Sequence, residues 1–300
     1  VKGKITMPAI TTKPTDFEHY WRQVNRELAA LPIAPELTPM PIRTTDFGTV
    51  YALRMTSLGA YRIFAYYCVP HGDGPFPVFY QLPNYGSVVH VPPYEERQQY
   101  VSIALCHRGQ RLSDQPFAAA YPGLLTTGIA SPQQYIYRGI VADCLRVIDF
   151  LVTRPEVDQG KIAAVGGDLA LITAALRPQV DALYYTPSFF YGAEALAPRT
   201  SAYPSEEIND FVRTYPEQAA QLWQTLAYYE PVHFAAQVQA ATQVVVGDDP
   251  AHTAPLLDAF GRPVDRYVSA HSGYKDGVVQ ARWLSKRYGL GEPVLPEHWR

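Results

Sequence analysis

The chain has 300 residues, 47% of them hydrophobic and 18% charged, with a formal net charge of −3. This is the composition of a folded globular protein with a sizeable core, not of a disordered segment. Weak acidity without a Lys/Arg stripe gives no electrostatic case for nucleic acid or an anionic membrane. No apolar run approaches the ~18 residues of a membrane span, and the N-terminus lacks a signal-peptide core. Cys68, Cys106 and Cys144 are odd in number and widely spaced in apolar runs. Buried free thiols and a reducing, cytoplasmic compartment are the expectation. The 27 prolines fit a chain with rigid, thermostable loops.

No repeat or linker divides residues 1–300, so a single domain is expected, opened by an arm and helix over residues 1–48. Thr15-Asp16 offers an N-cap, and Phe17, Tyr20, Trp21, Val24 and Leu28 share one face of a helix. Prolines 32, 35, 39 and 41 enforce an extended crossover. Val50–Met55 and Tyr61–Val69, separated by Ser57-Leu58-Gly59-Ala60, predict an antiparallel hairpin at a sheet edge. Short apolar runs then recur at 78–82, 101–106, 162–165, 180–185, 243–246 and 266–269. Helical patterns alternate with them at 133–153, 169–176, 205–226, 254–260 and 277–288. This rhythm predicts an α/β fold, a doubly wound and mainly parallel sheet with helices on both faces. Functional groups then belong on the loops at the carboxyl ends of those strands.

The run Lys161–Val165 leads into Gly166-Gly167-Asp168-Leu169-Ala170 and a helix. Small residues flank a central one, as in a nucleophile elbow, where strand and helix pass too closely for larger side chains. From these residues outward the chain resembles the acetyl xylan esterase and cephalosporin C deacetylase family, carbohydrate esterase family seven. Gln81-Leu82-Pro83-Asn84-Tyr85-Gly86 is similar to its Q-F-H-G-Y-G segment, and Arg108-Gly109-Gln110 to its R-G-Q motif. Tyr135-Ile136-Tyr137-Arg138 resembles Y-x-Y-R, and Asp16 to Trp21 the N-terminal helix signature. Thr225 to Tyr229, followed by Phe234-Ala235-Ala236, resembles another segment of the family.

The resemblance implies an α/β-hydrolase fold, a catalytic acid at Asp249 (with Asp248 adjacent) and a catalytic base at His271. It implies an oxyanion hole from Tyr85 and the backbone of Leu169. It further implies small acetylated sugars as ligands and a homo-oligomer, a hexamer in the family. The nucleophile departs from the pattern. Where the family carries G-G-S-Q-G-G, Asp168 replaces the serine.

Asp168 has no hydroxyl proton to give up, and its attack on an ester would form a mixed anhydride. Three readings stay open. The chain is a non-catalytic homologue with a binding or assembly role, Asp168 capping its helix. Alternatively Asp168 attacks saturated carbon in an epoxide or alkyl halide, and Asp249 and His271 drive hydrolysis of the resulting ester. The third is residual or water-mediated ester hydrolysis with Asp168 or His271 as general base.

Plain structural readings stand beside these. Asp248-Asp249 can cap the next helix, and His271 can be a loop residue without a role. Tyr85 suits an aromatic lid, while Arg108, Gly109, Gln110, Tyr137 and Arg138 read as loop ties. His107 reads as a satisfied loop residue. Ser188 is a conceivable relocated nucleophile without an elbow of its own. His252, Asp248, Asp249 and His271 lack metal-motif spacing, and Gly166-Gly167 is no phosphate loop. No metal or cofactor is expected.

Overall fold

The computed structural model describes residues 9–86, 88–115 and 117–299; the start of the predicted arm, residues 1–8, lies outside them. The strands are β1 (Glu36–Pro39), β2 (Gly48–Ser57), β3 (Tyr61–Pro70), β4 (Phe76–Gln81), β5 (Val101–Cys106), β6 (Val157–Gly166), β7 (Ala182–Tyr185), β8 (Ala241–Val246) and β9 (Asp265–Val268). The helices are α1 (Phe17–Ala29), α2 (Glu96–Gln99), α3 (Ile136–Leu151), α4 (Asp168–Leu176), α5 (Ala193–Leu196), α6 (Ser205–Thr214), α7 (Ala219–Leu226), α8 (Val232–Ala235), α9 (Pro250–Ala259) and α10 (Gly273–Tyr288).

All nine strands form one sheet in the order β1-β2-β3-β5-β4-β6-β7-β8-β9. From β5 to β9 the neighbours run parallel, whereas β1, β2 and β3 are antiparallel. The predicted hairpin forms, turning at Gly59 with φ +72°, but it is not the edge. β1, drawn from the proline-rich stretch, pairs outside it: prolines favour extended backbone and are tolerated on edge strands.

Side chains alternate between the two faces, as the two-residue period requires. Val78, Tyr80, Ile162, Ala164, Leu183 and Val244 belong to the larger core, with α1, α3 and α4. Phe79, Ala163, Val165, Tyr184 and Val245 face the other way, against Leu284 and Tyr288 of α10. The apolar face of α1 is buried as its spacing predicts. Asp16 makes no cap, however; its carboxylate accepts from the Tyr228 hydroxyl at 2.5 Å. The predicted helix over 205–226 divides into α6 and α7 at Pro216, which has no N–H to continue the ladder. The three cysteines are free and buried. Among the described residues no helix is long and apolar enough to cross a membrane.

The loop after β5 is tied to α3 through charge. Arg108 donates from Nε and Nη2 to the two oxygens of Asp143, at 2.9 and 2.7 Å, and Asp143 is wholly buried. The Arg108 backbone N–H adds a third bond at 3.0 Å. Gly139 lies against this guanidinium; a Cβ there would come within 2.2 Å of Nη1. Removing one member of such a pair strands a buried charge. Asp143→Ala is therefore expected to lower unfolding free energy by about 3–5 kcal/mol. Urea denaturation measures this, and a loss within about 0.5 kcal/mol would refute the anchoring role.

Candidate functional site

Parallel pairing of β6, β7, β8 and β9 sets their carboxyl ends side by side, so four loops converge. The elbow is present. Gly166 has φ +153°, and a Cβ on it would lie 3.1 Å from Cβ of Leu82. β6 turns there directly into α4, whose first residue is Asp168.

The carboxylate of Asp168 is not presented to solvent. It is 1% exposed and folded under the loop that leaves β7. Oδ1 accepts from the Tyr185 hydroxyl at 2.8 Å and from the Ser188 N–H at 3.0 Å. Oδ2 accepts from the Phe190 N–H at 2.7 Å. In return the Asp168 N–H donates to Oγ of Ser188 at 3.2 Å. Burial pushes the Asp168 carboxyl above its ordinary range, and the donors from Ser188, Phe190 and Tyr185 pull it only part of the way back. Gly167 leaves room for this exchange, since a Cβ there would sit 2.8 Å from Oγ of Ser188.

A second buried carboxylate holds the far end of the same loop. Glu230 accepts from the Gly192 N–H at 2.9 Å. Phe189 and Phe190 lock the middle, the first edge-on to Tyr85 and Tyr137, the second stacked on Tyr229. Sequence reasoning missed Glu230 as a loop anchor. Its only signal was a lone carboxylate inside the apolar stretch from Leu226 to Ala235.

The residues expected as acid and base sit on the neighbouring loops. Nε2 of His271 lies 3.3 Å from Oδ2 of Asp248, and the two side chains are 65% and 82% exposed. The preferred acid, Asp249, does not meet the histidine. It caps α9 instead, accepting the Ala251 N–H at 3.0 Å, as aspartate at an N-cap does. His271 occupies the left-handed region at φ +51°, unusual for a side-chain-bearing residue. Its loop is held there by Asp276, which accepts from Tyr267, Ser269 and the Ala270 N–H, while Ser269 Oγ accepts the His271 N–H.

The expected oxyanion residues divide. Leu169 lies in the first turn of α4 and is buried. Tyr85 directs its hydroxyl to Glu207, which also accepts the Leu125 N–H at 2.8 Å. That makes Tyr85 a tie between the β4 loop and α6. Gln110 supports the same loop by donating to the carbonyls of Asn84 and Gly86, and a Cβ on Gly109 would touch the Phe117 ring. His107 is buried, its Nδ1 lies 2.7 Å from the Arg108 carbonyl oxygen, and burial lowers it to about 4.

Between the β7, β8 and β9 loops lies a cavity of about 280 Å³. Ser188, Tyr191, Gly247, His252, Ser269 and His271 contribute to its walls. Among the described residues its lining includes no Asp, Glu, Lys or Arg. Nor do the described residues draw three His, Cys, Asp or Glu side chains into a metal-binding group.

The sequence matches the family model for acetyl xylan esterase (AXE1) over residues 5–258, a stretch that includes Asp168 and Asp248 and ends before His271. Acetyl esterase Axe7A of Xylanibacter ruminicola is 26% identical over 255 residues, covering 79% of this chain and 57% of that protein. The chain thus spans a little over half the length of that relative. An acetyl xylan esterase from Paenibacillus sp. R4 superposes with a TM-score of 0.79 at 24% identity, over 93% of this chain and 96% of its own. Acetyl xylan esterase 1 from a Thermoanaerobacterium species gives 0.79 at 19% identity, over 94% and 96%. The fold is that of the α/β-hydrolases.

The two carboxylates under the β7 loop give a pH signature. Burial pushes Glu230 up to about 8 from an ordinary 4.5. A raised carboxyl favours protonation in the folded state. Its stabilisation is complete below the ordinary value and lost as pH rises through about 8. Glu230→Gln keeps an oxygen for the Gly192 N–H and cannot ionise. Thermal melts from pH 5 to 9 should show the variant gaining several degrees on the parent protein as pH climbs. A difference independent of pH would refute the assignment.

Proposed function

Because the chain belongs to the acetyl xylan esterase family, we propose that it binds a small, uncharged acetylated molecule such as an acetylated sugar, with its elbow retired from serine-type deacetylation. The observation that carries this reading is the engagement of Asp168. Both carboxylate oxygens are taken by donors of the β7 loop, and neither is free to attack a carbon. Even if released, a carboxylate attacking an acetyl ester would give a mixed anhydride instead of a stable acyl-enzyme. The same engagement argues against attack on an epoxide or alkyl halide.

The exposed His271–Asp248 pair supports the reading further. In a working triad the acid is buried and fixes the imidazole in one orientation. Here solvent competes for both partners. The cavity beside them fits the ligand class: hydroxyls, two imidazoles and apolar walls offer hydrogen bonds and packing to a neutral molecule, and among the described residues its lining includes no Lys or Arg to recognise an acid.

Two measurements test this. Hydrolysis of p-nitrophenyl acetate should run no faster than roughly 10³–10⁴ times the water reaction, the residue left when a nucleophile is lost. Turnover of about 1–10³ s⁻¹, ordinary for an enzyme, would overturn the proposal, as would an alkyl ester found on Asp168 after incubation with an epoxide. In calorimetry, an acetylated xylobiose should bind the parent protein. Gly247→Phe, which enters open cavity space, should weaken that binding at least tenfold with the melting temperature unchanged. Equal binding by both would remove the cavity from the account.

A further inference from the structure

Ser188 carries features that the binding role does not use. Its hydroxyl lies at the mouth of the old elbow, accepting the N–H of Asp168, the first residue of the nine-residue helix α4. Gly167 is the residue that lets it approach, because any side chain there would collide with Oγ. Its backbone is fixed by Asp168 through the Ser188 N–H, and Phe189 and Phe190 are packed immediately after it. Ser188 is itself exposed and lines the same cavity as His271.

We propose that Ser188 is a displaced nucleophile, responsible for whatever ester cleavage the protein retains. The inference rests on the retired elbow: Asp168 no longer supplies the attacking atom, and has become the residue that positions one. An N–H bond to Oγ and the positive end of a helix both favour a developing alkoxide. The carboxylate of Asp168 opposes it, and the donors on both of its oxygens, Tyr185 Oη and the N–H groups of Ser188 and Phe190, offset that opposition. Asp248 lies at Nε2 of His271, so Nδ1 is the nitrogen that receives the serine proton.

The steps balance as follows. Oγ forms a bond to the acetyl carbonyl carbon while its proton passes to His271. The bond from that carbon to the alcohol oxygen breaks, and the alcohol leaves with the proton from His271. Water then attacks the acetyl-serine, giving a proton to His271. The bond from the acyl carbon to Oγ breaks, Oγ takes the proton back from His271, and the product leaves as acetic acid, which ionises in water to acetate and a proton.

A fluorophosphonate tests the serine directly in the unaltered protein. Oγ displaces fluoride at phosphorus, the serine proton leaving with it as hydrogen fluoride, and the adduct is located by peptide mass spectrometry. The expected result is slow, single labelling at Ser188. Ser188→Ala and His271→Ala should each reduce p-nitrophenyl acetate hydrolysis above background at least tenfold, and Ser188→Ala should abolish the label. Labelling at another serine, no labelling, no hydrolysis above background, or hydrolysis unchanged in Ser188→Ala would each overturn the proposal. Failure of the retired elbow looks different: turnover at ordinary enzyme rates that persists in Ser188→Ala.

Discussion

Everything at the carboxyl end of the sheet depends on one buried anion and the three donors around it. A serine at the elbow of a hydrolase points outward, and its neighbours serve its reactivity. Asp168 points inward, and its neighbours serve its charge. Burying a carboxylate is expensive unless each lone pair finds a partner. Tyr185, Ser188 and Phe190 supply those partners. Once they do, the β7 loop cannot move without exposing the cost. Glu230 extends the arrangement to Gly192, so N–H groups at alternate positions 188, 190 and 192 are held by two carboxylates. With aspartate at its centre, the elbow is a structural clasp on the β7 loop.

The clasp explains the glycines better than catalysis does. In a serine elbow, the small residues let strand and helix pass. Gly166 still has that task, with its positive φ and its closeness to Leu82. Gly167 has a different one, leaving space for the side chain of Ser188. The His271 side of the site lies toward solvent. His271 keeps a strained backbone held by the Asp276 network, yet its partner Asp248 is largely exposed.

The fold was legible because its signals are local and repeated. Strand-length apolar runs and the periodic face of α1 specify layers without reference to distant residues. Local reading failed where tertiary contacts decide. Nothing near Asp16 indicates that Tyr228, more than 200 positions away, will claim its carboxylate in place of a cap. Pro35 and Pro39 read as crossover because their demand for extended backbone is the same in a loop as in an edge strand. At the site, the elbow and His271 could be read from pattern and resemblance. The choice between Asp248 and Asp249 could not, since either aspartate can cap a helix and only the course of the loop decides which one does. The inward turn of Asp168 was equally hidden, because two of its three partners are backbone N–H groups, which no side-chain pattern encodes.

A carboxylate facing the cavity would have repelled the oxygen-rich groups of an acetyl ester and any negative charge developing on its carbonyl. Turned under the loop, the same carboxylate leaves the cavity walls, among the described residues, without an Asp or Glu side chain. An aspartate at the elbow is in this way compatible with a pocket for a neutral ligand. The hydroxyl of Ser188, which accepts the N–H of the first residue of α4, borders that same cavity and, among the described residues, has no formal charge beside it on the cavity side.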